Sequence, residues 1–186
     1  MNNIKTRIFF LVIPVCILLY GCSSRGLNVL YKTKEKISMQ VIGCTEIDVK
    51  GGRYSMITAL YQDTVAALFK ENGFDDIVYC DMEIDFERPD IDEIKNIISD
   101  KKLDGLIISN IRFPNIQSAL IYSNLFTQAV EVGLKLFDKD GKLKLSLIYK
   151  TTQGNVYYIN PSQEKVEVDG MKGAIKGMCN KLNSLR

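Results

Sequence analysis

Five cysteines and 22 acidic residues are among the groups in this 186-residue chain that could carry covalent or acid–base chemistry, and histidine is absent. Without imidazole there is no usual general base, no Ser-His or Cys-His nucleophile pair and no His-containing zinc site. Cys16, Cys22, Cys44, Cys80 and Cys179 are scattered, with none of the Cys-x-x-Cys spacing of metal or redox centres. No Ser-x-x-Lys sits on an apolar run, and Lys50-Gly51-Gly52-Arg53 reads as a turn rather than a phosphate loop. The expectation is a non-enzymatic protein with no cofactor and no metal. One acidic constellation stands out, Asp81-Met82-Glu83-Ile84-Asp85-Phe86-Glu87. In an extended conformation Asp81, Glu83, Asp85 and Glu87 share one face and the apolar residues the other. Calcium suits such oxygen ligands, but the segment lacks the glycine turn and added carbonyls of known calcium loops. Two further readings remain: a docking edge for a basic partner, and a charged edge strand that resists aggregation.

Cys22 belongs to a different chemistry. Lys5 and Arg7 open the chain, an apolar run follows from Ile8 to Leu19, and Gly21 supplies a small residue before Cys22. These are the parts of a secretory signal, and the run is shorter than the ~20 apolar residues that span a bilayer. Leu19-Tyr20-Gly21-Cys22 resembles the bacterial lipobox, with Tyr20 bulkier than the usual middle residue. The resemblance implies cleavage between Gly21 and Cys22, diacylation of Cys22 and usually N-acylation. Two or more acyl chains hold a protein stably on a membrane. By analogy with enterobacterial sorting, Ser23 in place of aspartate implies the periplasmic face of the outer membrane.

Composition bounds the remainder. Residues 1–21 carry two cations and no acids, so the rest of the chain has 22 of each and zero net charge. Nucleic-acid binding, which needs clustered cations, is not expected. Cys44, Cys80 and Cys179 remain: either Cys44 pairs with Cys80, or all three are buried free thiols. Residues 22–37, with Arg25, Lys32, Lys34 and Lys36 against Glu35, read as a lipid-anchored tether. Its cations either touch anionic head groups or are simply solvated.

Residues 38–186 read as a single α/β domain. Ser38 to Cys44 is a strand, and Ile57, Leu60, Tyr61, Val65, Leu68 and Phe69 recur at helical spacing before Gly73. Asp76 to Cys80 gives another strand. Asp90 with Glu93 offers a capping box for a helix lined by Ile91, Ile94, Ile97 and Ile98. Leu106-Ile107-Ile108 has the unbroken apolar character of a central strand. Val130–Leu136 and Leu143–Tyr149 alternate around Asp138-Lys139-Asp140-Gly141, a hairpin signal. Met171, Ile175, Met178, Cys179 and Leu182 mark a last helix. The predicted fold is a mixed sheet in β-α-β-α-β-β-β-α order, with helices packed on it and a long antiparallel hairpin.

Lys102–Ser109, the hairpin Val130–Asp138 and the Asp140-Gly141 turn resemble the superfamily of the lipoprotein activator of penicillin-binding proteins, the curli-secretion channel lipoprotein and the N-terminal domain of the Tol-system β-propeller protein. The resemblance covers about residues 38 to 183 and implies an α/β binding domain. The chain lacks the channel's two long membrane hairpins and the activator's long tether. A second candidate surface is the insert from Ile111 to Phe126, with Phe113, Ile116, Leu120, Tyr122 and Phe126, unusually apolar for a connection. It either recognises a partner or folds back onto the core; Tyr157 and Tyr158 could join it. The expected role is protein docking in the cell envelope, with the membrane held through Cys22, an envelope protein as partner, and a homo-oligomeric secretion or envelope subunit as the alternative.

Overall fold

A computed structural model describes residues 22–50, 54–74, 76–114, 126–155 and 162–186. Its elements are β1 (Cys22–Lys32), β2 (Val41–Lys50), α1 (Tyr54–Glu71), β3 (Asp76–Cys80), α2 (Ile91–Asp100), β4 (Gly105–Arg112), β5 (Phe126–Asp138), β6 (Leu143–Asn155) and α3 (Gln163–Asn183). The strands form one six-stranded sheet in the order β1-β6-β5-β4-β2-β3. β2 is parallel to β3 and β4, and every other pairing is antiparallel. The mixed α/β sheet expected from the sequence is the fold observed.

The first crossover moves from β2 outward to β3, and the second returns past β2 to β4. Right-handed crossovers in opposite directions put their helices on opposite faces. Accordingly α1 packs with α3 in the larger core, through Tyr61, Val65, Phe69, Met171, Ile175 and Met178. On the other face α2 buries Ile94, Ile97 and Ile98 against Leu106, Ile108 and Phe137. β4 is therefore covered on both faces, which is why it is buried from Gly105 to Ile111 and Leu106-Ile107-Ile108 is unbroken apolar.

Local signals end the helices as expected. Asp90 caps α2, accepting from the N–H groups of Asp92 at 2.9 Å and Glu93 at 3.3 Å. Gly73, at φ 79°, closes α1 in a Schellman turn: Phe74 N–H bonds the Phe69 carbonyl at 3.0 Å and Gly73 N–H that of Lys70 at 3.1 Å. The Phe69 and Phe74 rings meet edge-on at 5.6 Å, supplying that motif's hydrophobic contact. α2 ends in the same way with Lys102 at φ 53°, where Leu103 N–H bonds Ile98 O and Lys102 N–H bonds Ser99 O.

Two expectations are corrected. Over Cys22–Lys32 the segment taken as a tether is strand β1, paired antiparallel with β6 from Cys22 opposite Gly154 to Lys32 opposite Leu145. Leu27 anchors it, lying where a side chain on Gly177 of α3 would otherwise stand. The first strand expected at 38–44 instead begins at Val41 and runs to Lys50. A register shift between Cys44 and Ile47 explains the miss. One extra residue there keeps Ile42, Cys44, Ile47 and Val49 all in the larger core, although simple alternation would turn Ile47 away.

Candidate functional site

The acidic segment keeps its two-sided character without being a strand. Ile84 and Phe86 are buried at 2% and 3% exposure, while Asp81, Glu83, Asp85 and Glu87 are exposed. Residues 81–88 carry no ladder, which corrects the edge-strand reading. They cross the α2 face instead, and Phe86 reaches β5 over Gly133, where a Cβ would stand 2.7 Å from its ring. Lys135 fixes the crossing, donating to the Phe86 carbonyl at 2.6 Å with its ammonium 4.3 Å above the ring. Burial pulls the Lys135 pKa down, Asp85 pushes it up and Arg112 lowers it again.

The four carboxylates divide into two pairs. Asp85 accepts from the N–H groups of Glu87 at 2.7 Å and Arg88 at 3.1 Å, closing a turn, and Glu87 is ion-paired with Arg112. These two are occupied within the chain. Asp81 and Glu83 instead lie with Glu46, which the β2 irregularity brings to them; Glu46 N–H bonds the Met82 carbonyl at 3.1 Å. Burial, a hydrogen bond and charge from Asp81, and the charge of Glu83 raise the Glu46 pKa. Glu46 was not foreseen from the sequence, because only the bulge joins it to the strip. Among the described residues no group of histidine, cysteine or acidic side chains is arranged to hold a metal ion.

The thiols are positioned by packing. Cys44, Cys80 and Cys179 are free and buried, so the Cys44–Cys80 disulfide is not formed. Cys44 Sγ lies 3.2 Å from the Tyr61 hydroxyl. Burial pushes the thiols of Cys44 and Cys179 up to about 12 and that of Cys80 upward, which leaves them protonated and unreactive at neutral pH.

The second candidate surface is placed only at its margins. Phe113 is half-buried and packs on the larger core. Phe126 opens β5 opposite Asn155, while Gly21, Ile116, Leu120, Tyr122, Tyr157 and Tyr158 lie outside the described residues. Strand directions put Arg112, Phe126, Asn155 and Cys22 at one end of the sheet.

No protein-family model and no curated protein matches the chain. Its fold is shared with PelC. That protein, from Paraburkholderia phytofirmans and solved as a dodecamer, superposes with a TM-score of 0.53 at 8% identity, over 83% of this chain and 96% of PelC. Weaker likenesses are a DUF330 protein from Xanthomonas campestris (TM-score 0.45, 11% identity, 82% and 91% covered) and a minor lipoprotein from Acinetobacter baumannii (0.40, 7%, 78% and 94%). At these identities the likeness to PelC defines the fold alone.

The surface that sequence reasoning missed is β1. Val29, Leu30 and Tyr31 are 39%, 61% and 47% exposed, the large exposed hydrophobic residues of the described chain, and they are consecutive on an outer strand. The run Leu27-Asn28-Val29-Leu30-Tyr31 was a readable β signal, overshadowed by the flanking lysines.

Proposed function

We propose that this is a non-enzymatic envelope lipoprotein, lipidated on Cys22 after removal of residues 1–21, whose domain works by protein association. The observation that carries the reading is the apolar run Val29-Leu30-Tyr31 on an open sheet edge that begins at Cys22 itself. Exposed apolar edges are costly to leave bare, and natural proteins cover or charge them. The lipobox-like Leu19–Cys22 supports the anchor, and Ser23 supports the periplasmic face of the outer membrane. The resemblance to penicillin-binding-protein activator and secretion lipoproteins supports an envelope partner. Self-association is the form favoured by the PelC likeness, since that protein is a dodecamer and nearly its whole length superposes.

Two measurements test this. Mass spectrometry of the N-terminal peptide should find acylated Cys22, and Cys22→Ser should release the protein from membranes. Light scattering on the full chain in mild detergent should give several copies per particle. An unmodified Cys22 would sink the anchor, and a single copy per particle would sink self-association.

A further inference from the structure

The two outer strands of the sheet are β1 and β3, and they differ in charge. Along and just after β1 stand Arg25, Lys32, Lys34 and Lys36. Their acid neighbour Glu35 is drawn away to Lys144 at 2.7 Å. Lys32 donates to the Ser184 hydroxyl rather than to an acid, and Arg25, half-exposed, is held by Asp169 at 2.8 Å. At the carboxyl end of β3 stand Glu46, Asp81 and Glu83, where burial together with Asp81 and Glu83 raises the Glu46 pKa. Asp76 opens the same strand.

The topology makes these edges complementary. β1 is antiparallel to β6, and β3 runs with β2 and β4, so β1 and β3 point in opposite directions. A second copy laid beside the first in the same orientation therefore brings β3 antiparallel to β1. The acidic end of β3 then meets the Arg25 end of β1. Pairing of β1 with another β1 would instead set Arg25 against lysines, and such like-charge contacts are disfavoured. The β1 ladder shifts register between Val29 and Tyr31, leaving Leu30 without a place in it. A bulge of this kind re-aims a side chain, here the most exposed of the apolar run.

We propose that β1 docks on the β3 edge of a second copy of this chain, head to tail, with Leu30 at the centre of the contact. This rests on the self-association reading above and names its interface. Contacts between unlike edges propagate, and a rotation per copy that divides the full circle makes them a ring.

The test uses the full chain in mild detergent. Leu30→Cys and Val78→Cys are made in separately tagged copies, and a thiol cross-linker is applied to each alone and to the mixture. Links are expected only in the mixture, and Leu30→Asp should bring the particle mass down to one copy with an unchanged far-ultraviolet circular dichroism spectrum. Linking within Leu30→Cys alone would overturn the proposal by showing paired β1 edges. A Leu30→Asp protein that keeps the wild-type mass, with no links in the mixture, would overturn the edge assignment and leave self-association standing. A wild-type chain that is a single copy at every concentration would remove both.

Discussion

Asp138 shows how one carboxylate holds a long hairpin in register. Its Oδ1 accepts the N–H groups of Asp140 and Lys142, each at 2.9 Å, and its Oδ2 meets Lys144 at 3.1 Å. Burial alone would raise its pKa, but the Lys142 N–H, the Lys144 ammonium and the Asp140 N–H outweigh it and hold the carboxyl below the usual range. A depressed carboxyl stabilises the fold above its unfolded pKa and loses that contribution as pH falls through the folded one. Asp138→Ala is thus expected to cost about 1–3 kcal/mol at neutral pH and progressively less in acid, measured by denaturant melts across pH. Glu46 has the opposite sign. Its raised pKa favours the protonated form in the fold, so its contribution is present in acid and lost as pH rises through its folded pKa. Glu46→Gln should stabilise at neutral pH, and a gain that persisted unchanged in acid would contradict the acidic cluster. Lys102 stands where glycine is the usual C-terminal residue of a helix, at φ 53°. Lys102→Gly should therefore raise stability by up to about 1 kcal/mol.

At the scale of elements, the α2 face depends on a close approach of the 81–88 crossing to β5. Gly133 donates its N–H to Asn110 Oδ1 at 3.1 Å and leaves the space taken by the Phe86 ring. Gly133→Val would force Phe86 out and cost roughly 1–3 kcal/mol or more by overpacking, and calorimetric melting would register it. The acidic segment's alternation was legible because Ile84 and Phe86 must be buried whatever ladder the backbone joins. The helices, the central strand and the Asp138–Gly141 turn were legible for the same reason: each writes its partner into its own period or turn chemistry. β1 was not, because four cations in its neighbourhood outweighed a short β-rich run and its pairing partner lies far along the chain. The bulge in β2 was hidden by its own effect, since it restores the correct face by breaking the alternation. Glu46 was lost with it, and so one of the three carboxylates of its cluster with Asp81 and Glu83 went unseen.

For the whole molecule, the buried thiols and the proposed anchor give a combined prediction. Alkylation of the membrane-extracted protein under native conditions should label none of Cys44, Cys80 and Cys179, and unfolding without reductant should expose all three, as counted by mass. Two labels fewer after unfolding would mean that Cys44 and Cys80 pair after all. The β1 ladder also changes the geometry of anchoring. With Cys22 already opposite Gly154 in the sheet, no flexible leash separates the proposed lipid from the folded domain. The end of the sheet that carries Cys22, Arg112 and the edges of the 114–126 connection would then face the bilayer. Among the described residues no helix is long and apolar enough to cross a membrane.

The pairing of β1 with β6 has a consequence in time as well as in space. A chain made from its amino end delivers Leu27–Lys32 early and the complementary Leu145–Tyr149 almost last. Contacts between distant segments form slowly, and an unpaired apolar strand is exposed to wrong partners while it waits. Until β6 has folded, β1 is a strand with no sheet to join, and its apolar run is open to wrong partners.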